Sequence, residues 1–248
     1  MRKITYTCLA VFCLLCARES AAQTLRKNGL KINVTSLAFK NYHFTYERLL
    51  TRKTSLSASY RTMPATTLGD LKLTEKILEA TNDDGEVKQD LDKITASNKA
   101  YTAELRFYTG RKPGARGFYF GLYGRHASFK VDYPYDYSTT LREYNIPIDA
   151  RFTGFGGGFN IGTQFLIGNR VSLDLTILGG HYGKLKGDFN APADLSSMSP
   201  QERQNLKEEM ESLFEVNDKR YITAEVSNTG VKAKLDGPFA GLRSAITL

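Results

Sequence analysis

Residues 171–177 read Val-Ser-Leu-Asp-Leu-Thr-Ile, and their strict alternation of apolar and polar side chains decides the fold class of this chain. Successive side chains of a β-strand point to opposite faces of its sheet, so the pattern predicts a strand with one apolar face. The same period recurs along the chain. It predicts eight strands, at residues 29–39, 41–50, 53–62, 99–109, 117–131, 150–167, 170–183 and 231–248.

The first 22 residues have the layout of a secretion signal. Arg2 and Lys3 precede an apolar run, and the small residues 20–22 precede the expected cleavage site. The run is too short to cross a bilayer as a helix. We therefore expect a cleaved signal peptide at residues 1–22 and a single domain at residues 23–248.

Cysteine content and charge exclude several classes of function. All three cysteines, Cys8, Cys13 and Cys16, lie inside the expected signal, so the exported chain would have no thiol for a disulfide, a metal site or a nucleophile. Without the first 22 residues the chain has 31 basic and 25 acidic residues, a net charge of +6. The signs alternate along the chain and form no basic face, so nucleic acid is not an expected partner.

The lengths of the connections favour a membrane barrel. Those after the second, fourth and sixth predicted strands are short, at residues 52–53, 111–116 and 168–169, while those after the third, fifth and seventh are long. Bacterial outer-membrane barrels show this rule, with turns on the periplasmic rim and loops outside. We predict an eight-stranded antiparallel up-and-down transmembrane β-barrel in a Gram-negative outer membrane. A soluble lipid-carrying barrel is the alternative, since periodicity alone does not say which face is inside.

The long loops, at residues 62–98, 132–150 and 183–230, are acidic. They hold eight, four and nine acids against four, one and six bases. We expect them on the cell exterior and the basic turns on the inner rim. Ser199 and Glu202 form a capping-box pattern before Leu206, Met210, Leu213 and Phe214, which predicts an amphipathic helix. Residues 71–80 and 86–95 are predicted to form two more short helices, and we expect the loop helices to pack on one another.

If the apolar face meets lipid, charged side chains must lie inside the barrel. Eight strands leave room for side chains only, so these charges should pair in a polar plug and not line a pore. The expected interior network consists of Glu47, Glu104, Arg106, Arg125, Asp174 and Arg243, accompanied by Lys31, Asn33 and Arg61. His43, His126 and His181 have no metal-ligand spacing, so neither a metal site nor a cofactor is expected.

One local motif contains the residue types of a catalytic base and nucleophile. His126-Ala127-Ser128 places a base and a hydroxyl on the same side of a strand, and this is similar to the His-x-Ser of outer-membrane lipid A deacylases. The resemblance implies a third group that orients the base, for which Asp132, Asp136 and Glu143 are the candidates. The residues after Ser128 depart from the deacylase pattern. We therefore interpret the pair as interfacial polar residues.

The chain resembles a family of small bacterial outer-membrane β-barrels whose domain has no known function. The matching segments are residues 31–42 and 46–48, the pair 104–108 and 117–120, and the ending 237–243. This resemblance implies the fold and the location but no activity. Such barrels end on an aromatic residue that the barrel assembly machinery recognises, whereas this chain stops at Leu248.

The first hypothesis for the function is non-enzymatic: a structural or surface-interaction barrel whose acidic loops bind a protein partner, cations or lipopolysaccharide. The second hypothesis is a lipid A esterase that uses His126 and Ser128.

Overall fold

The computed structural model describes residues 27–248 except 72–73, 75–77, 79–85, 112, 140–141, 168–170 and 217. The expected signal peptide, most of the helix predicted at 71–80 and the turn at 168–169 lie outside the described residues.

The described chain is built mostly from antiparallel strands, with few helices. The strands are β1 (Asn28–Ile32), β2 (Tyr42–Leu49), β3 (Thr54–Thr67), β4 (Thr95–Tyr108), β5 (Gly117–Ser138), β6 (Glu143–Ile167), β7 (Val171–Pro192), β8 (Glu215–Val216), β9 (Lys219–Arg220), β10 (Ile222–Ser227), β11 (Gly230–Pro238) and β12 (Gly241–Thr247). The α-helices are α1 (Val34–Leu37), α2 (Glu86–Lys93) and α3 (Pro200–Ser212). The prediction of an all-β fold with short helices in the long connections is confirmed.

Ten strands form one sheet in which sequential neighbours pair. The order is β1 to β7, then β11 and β10, and β12 also pairs with β7. β11 pairs with residues 184–192 of β7 and β12 pairs with residues 174–181, so β11 and β12 follow each other along one edge of β7. The antiparallel order places the connections after β3, β5 and β7 at the same end of the sheet.

The prediction of eight strands in a closed barrel does not describe this fold: the described chain has twelve strands, ten of them in this sheet, and the sheet is not closed. The predicted strand 29–39 ends at Ile32, because the Asn33 side chain accepts a hydrogen bond from Ser36 N (3.0 Å) and caps α1. The predicted strand 231–248 is divided between Pro238 and Gly241. β8, β9 and β10 lie within the predicted loop 183–230.

Five strands extend further than predicted: β3 and β4 by a few residues, and β5, β6 and β7 by the most. β5 and β6 continue to a short connection between Ser138 and Glu143, so the predicted loop 132–150 is largely a paired hairpin. β7 likewise continues to Pro192. The loops at this end are therefore shorter than expected, and the strands reach well beyond the predicted rim.

The sheet is strongly rolled. Neighbouring strands lie about 4.8 Å apart, so a flat sheet would separate β1 from β7 by about 29 Å. In the structure Lys31 Nζ of β1 is 2.9 Å from Asp174 Oδ2 of β7. Ile32 N also donates to Leu248 O (2.7 Å), and Leu248 N donates to Ile32 O (2.9 Å), so β1 meets the end of β12. The roll creates a concave interior and a convex outer surface.

The polarity of the two faces is inverted part way along the strands. On β7 the outward side chains are first apolar, namely Val171, Ile177, Leu178 and Tyr182. They are then charged, namely Lys184, Lys186 and Asp188. β5 follows the same rule, with Phe118, Phe120 and Leu122 exposed and then Lys130 and Asp132 on the same face. We call the exposed apolar region the apolar belt; on β6 it includes Phe155, Phe159 and Phe165.

Beyond the belt the strands enclose an apolar core. The α3 residues Leu206 and Met210 are buried there against Ile222, Ala224 and Val231 of the neighbouring strands. The predicted capping box is confirmed: Glu202 N donates to Ser199 Oγ (3.2 Å) and Ser199 N donates to Glu202 Oε2 (2.8 Å). Among the described elements α3 packs on β10. The expectation that loop helices pack on one another also involves the helix predicted at 71–80, most of which lies outside the described residues. No helix in the described part of the chain is long and apolar enough to cross a membrane.

Candidate functional site

The belt-level interior holds a buried ionic cluster of six side chains. Its members come from β1, β2, β4, β7 and β12, and they are Lys31, Glu47, Glu104, Arg106, Asp174 and Arg243. Strand alternation explains the convergence, because the polar residue of each alternating pair points into the rolled sheet. Residues far apart in sequence thereby meet in one polar plug.

Asp174 is the centre of one half of the cluster. Its side chain is 2% exposed and receives Lys31 Nζ at 2.9 Å and a short contact from Arg106 Nη1. Tyr119 OH donates to Asp174 Oδ1 (2.8 Å). Lys31 Nζ also lies 2.7 Å from Glu47 Oε2, so one ammonium joins two carboxylates. Burial of these charges is offset by direct pairing on each side.

Glu104 is the centre of the other half. Arg106 Nε is 2.5 Å from Glu104 Oε1, and Arg243 Nη1 is 2.9 Å from Glu104 Oε2. Asn160 Nδ2 donates to Glu104 Oε1 (3.1 Å). The Arg106 guanidinium lies 4.3 Å from the centre of the Tyr119 ring, which adds a cation–π contact. Arg106 therefore links the two halves.

Two residues of the expected network, Glu47 and Arg125, do not form arginine–carboxylate pairs among the described residues. Glu47 pairs with Lys31, and also accepts from Ser55 Oγ (2.5 Å) and Tyr108 OH (2.7 Å). Arg125 makes no ion pair among the described residues; its Nε donates to Thr102 Oγ1 (3.2 Å). The structure thus separates Arg125 from the carboxylates with which it was expected to pair.

Sequence reasoning missed the neutral members of the plug. Tyr108 and Tyr119 are buried and bind the carboxylates, and Gln164 and Asn160 complete the hydrogen bonding. Tyr119 lies four residues before Tyr123 on the same face of β5, so inward strand parity is the signal that could have found it. The expected interior set contained only charged and amide side chains, so tyrosines with an inward hydroxyl group were left out.

The structure does not assemble the His126 triad among the described residues. His126 and Ser128 lie on the outward face on either side of buried Ala127, and no hydrogen bond joins them. Glu143 pairs across from Ser138, ten residues beyond Ser128 on β5, which is about 33 Å along the strand. Asp132 lies nearer to Ser128 along β5, but its carboxylate forms an ion pair with Lys130 Nζ (3.0 Å).

The histidines form no metal site. Among the described residues, no group of three His, Cys, Asp or Glu side chains could hold a metal ion. His43 Nδ1 shares a hydrogen bond with Asn33 Nδ2 (3.3 Å), and His181 Nδ1 shares one with Tyr123 OH (3.3 Å). Each therefore belongs to a separate interior contact.

The three acidic connections touch one another at the end beyond the belt. Lys93 Nζ after β3 lies 3.6 Å from Asp136 Oδ2 of the β5–β6 hairpin. Tyr135 OH of that hairpin donates a short hydrogen bond to Glu209 of α3. Burial, and then this bond, raise the pKa of the Tyr135 hydroxyl. We call this joined region the outer cap.

Comparison with known proteins gives a family but no activity. A family model described as "Protein of unknown function (DUF3575)" matches residues 7–208. The match includes the resembling segments between residues 31 and 120, and confirms the expected likeness to a domain of unknown function. No curated protein and no solved structure matches the chain.

Proposed function

Because the chain belongs to this family of unknown function, we propose a function from its structure: a non-enzymatic outer-membrane β-barrel of structural or surface-interaction type. Its acidic outer cap would face the cell exterior and bind a protein partner, cations or lipopolysaccharide.

The observation that carries the proposal is the inversion of polarity along β5 and β7. A protein in water buries apolar side chains and exposes charged ones, as the outer cap does. The belt does the opposite, since charged Asp174 is buried while Tyr182 is 71% exposed on the same strand. A surface of exposed aromatic and aliphatic residues around a polar interior suits lipid on the outside. The change at Lys184 would then mark the boundary between membrane and water.

Aromatic side chains gather near this boundary. Tyr60 and Tyr101 pair across β3 and β4 with ring centres 5.1 Å apart, and His126 pairs with Tyr101 on one side and Phe155 on the other. Girdles of aromatic residues at the interfaces are typical of outer-membrane barrels. This position also suits His126 as an interfacial residue.

We further propose that the belt is a ring of eight strands. β1 to β7 would supply seven, and β11 with β12 would act as one interrupted eighth strand, because both pair with β7 in succession. The bridge between Asn33 and Thr247 would join this strand to β1. The ionic cluster supports such a ring, because its ion pairs join strands that would lie far apart in a flat sheet.

Cell fractionation with heat-modifiable gel migration tests this proposal. We expect the protein in the outer membrane, with unboiled samples migrating differently from boiled ones. Protease added to intact cells should cut the connections at residues 62–98 and 183–230 first. Recovery in a soluble fraction without detergent would contradict the membrane location, and cleavage confined to residues 109–116 would invert the orientation.

A further inference from the structure

A cavity of about 490 Å³ lies inside the rolled sheet, beside the ionic cluster. Its lining includes Arg61 of β3, Arg125 of β5 and Arg243 of β12. Because all three guanidinium groups line one cavity, their like charges repel one another. A cavity with three cations in its wall is an electrostatic site for an anion.

The interior carries more positive than negative charge. Its three carboxylates, Glu47, Glu104 and Asp174, are each paired with at least one of Lys31, Arg106 and Arg243. Arg61 and Arg125 make no ion pair with any described residue. The described interior therefore has an excess of two positive charges, both at the cavity.

Polar atoms in the cavity wall also lack partners. Arg61 Nε, Asn41 Oδ1 and Asn98 Oδ1 are buried without a hydrogen bond to the described residues. A buried polar group without a hydrogen-bond partner destabilises the folded state, so water or a bound ligand must satisfy these three atoms. A free guanidinium N–H suits an anionic oxygen, and free amide oxygens suit hydroxyl groups.

The cavity opens through the side of the wall. β1 ends at Ile32, and beyond the contact at Thr247 the edge of β12 faces the short helix α1 instead of a strand. Successive residues of a strand point to opposite faces, yet Leu242 and Arg243 both line the cavity. Leu242 is 86% exposed, so the cavity reaches the outer surface at this edge.

The opening lies at the upper edge of the apolar belt. Leu242 pairs with Gly180 of β7, two residues before Tyr182 and four before Lys184. Phe39 also lines the cavity and is exposed. A molecule seated here would hold its polar end among the arginines and could leave an apolar chain along the belt.

We propose that this cavity binds an amphiphile with a phosphate monoester head group and an apolar chain. The dianionic head would neutralise Arg61 and Arg125, because arginine binds phosphate through paired N–H donors. The position of the chain rests on the membrane location proposed above, whereas the anion site rests on the interior charges alone.

Titration calorimetry on the purified full chain in dodecyl maltoside tests the proposal. We expect dodecyl phosphate to bind with one-to-one stoichiometry and at least roughly tenfold more tightly than inorganic phosphate, since buried methylene groups add affinity. Arg61→Gln combined with Arg125→Gln should weaken binding by roughly tenfold or more. Arg151→Gln, at an exposed arginine paired with Asp149, is the matched control and should bind as the unchanged protein does.

Asn98→Asp gives a second, independent test. It places a carboxylate in the cavity wall beside the unpaired arginines, so we expect a higher midpoint of thermal unfolding and loss of dodecyl phosphate binding. Equal binding by the double arginine variant, or no saturable binding to the unchanged protein, would overturn the anion site. Inorganic phosphate binding as tightly as dodecyl phosphate would overturn the amphiphile. None of these results depends on where the protein is found in the cell.

Discussion

Replacing Arg106 with methionine should lower the free energy of unfolding by about 3 to 5 kcal/mol. The guanidinium is 3% exposed, lies 2.5 Å from Glu104, contacts Asp174 and stacks on Tyr119. Methionine keeps much of the volume but removes the charge, and two buried carboxylates then lose a partner. Each keeps another cation, Arg243 or Lys31, so we expect a loss near the lower end of this range.

Urea unfolding in detergent micelles, followed by heat-modifiable gel migration, measures this loss. Arg151→Met is the matched control, because Arg151 is 71% exposed and pairs only with Asp149 among the described residues; it should cost at most about 1 kcal/mol. Adding Asp174→Asn to Arg106→Met should recover part of the stability, since it removes the excess negative charge that the loss of Arg106 leaves in the ionic cluster. Equal effects of Arg106→Met and Arg151→Met would refute the reasoning.

Three further changes test separate parts of the structure. Ser199→Ala removes the capping hydrogen bond of α3 and should destabilise the outer cap by about 1 kcal/mol, seen as faster amide exchange in α3 with unchanged exchange in the belt. Gly158→Ala should cost about 1 to 3 kcal/mol of folding stability in urea titrations, because the added Cβ would lie 2.0 Å from Gly180 O. Ser128→Ala should leave the acyl chains of lipid A unchanged in mass spectra, and loss of one acyl chain that depends on Ser128 would restore the esterase hypothesis.

Strand parity could be predicted from the sequence because it depends only on neighbouring residues. The alternation around Asp174 correctly identified a strand, and the same parity places Glu47, Glu104 and Arg106 among the inward residues. The partners of these charges could not be predicted. Whether Glu47 meets Lys31 or an arginine depends on strand stagger and on the roll of the sheet, which no local pattern records.

The outer ends of β5, β6 and β7 were missed because their inward side chains change from polar to apolar, while the alternation of inward and outward residues continues. Inward residues of β5 are polar at Arg125 and apolar at Phe129 and Tyr137, so a search for one continuous apolar face ends near residue 131. The early end of β1 has a local cause instead. Asn33 binds Ser36 N and starts α1, whereas the apolar residues that follow it were predicted to continue the strand.

The cavity was missed for a related reason. Arg61, Arg125 and Arg243 were expected to pair with carboxylates in one polar plug, because inward charges of both signs were considered together. In the structure the charges are separated along the strands. The carboxylates lie at the level of Arg106, and the two unpaired arginines lie beside the cavity. Only the three-dimensional arrangement reveals this separation of charge.

Spin-label accessibility along β7 tests the central claim, that the inversion of polarity marks a membrane boundary. The chain has no cysteine after Cys16, so single cysteines at positions 173, 175, 182, 184 and 186 can each carry one nitroxide in protein reconstituted into lipid vesicles. We predict labels at 173, 175 and 182 that oxygen reaches and a water-soluble nickel chelate does not, and labels at 184 and 186 that the chelate reaches. Equal access of the chelate to all five positions would contradict the membrane-spanning belt.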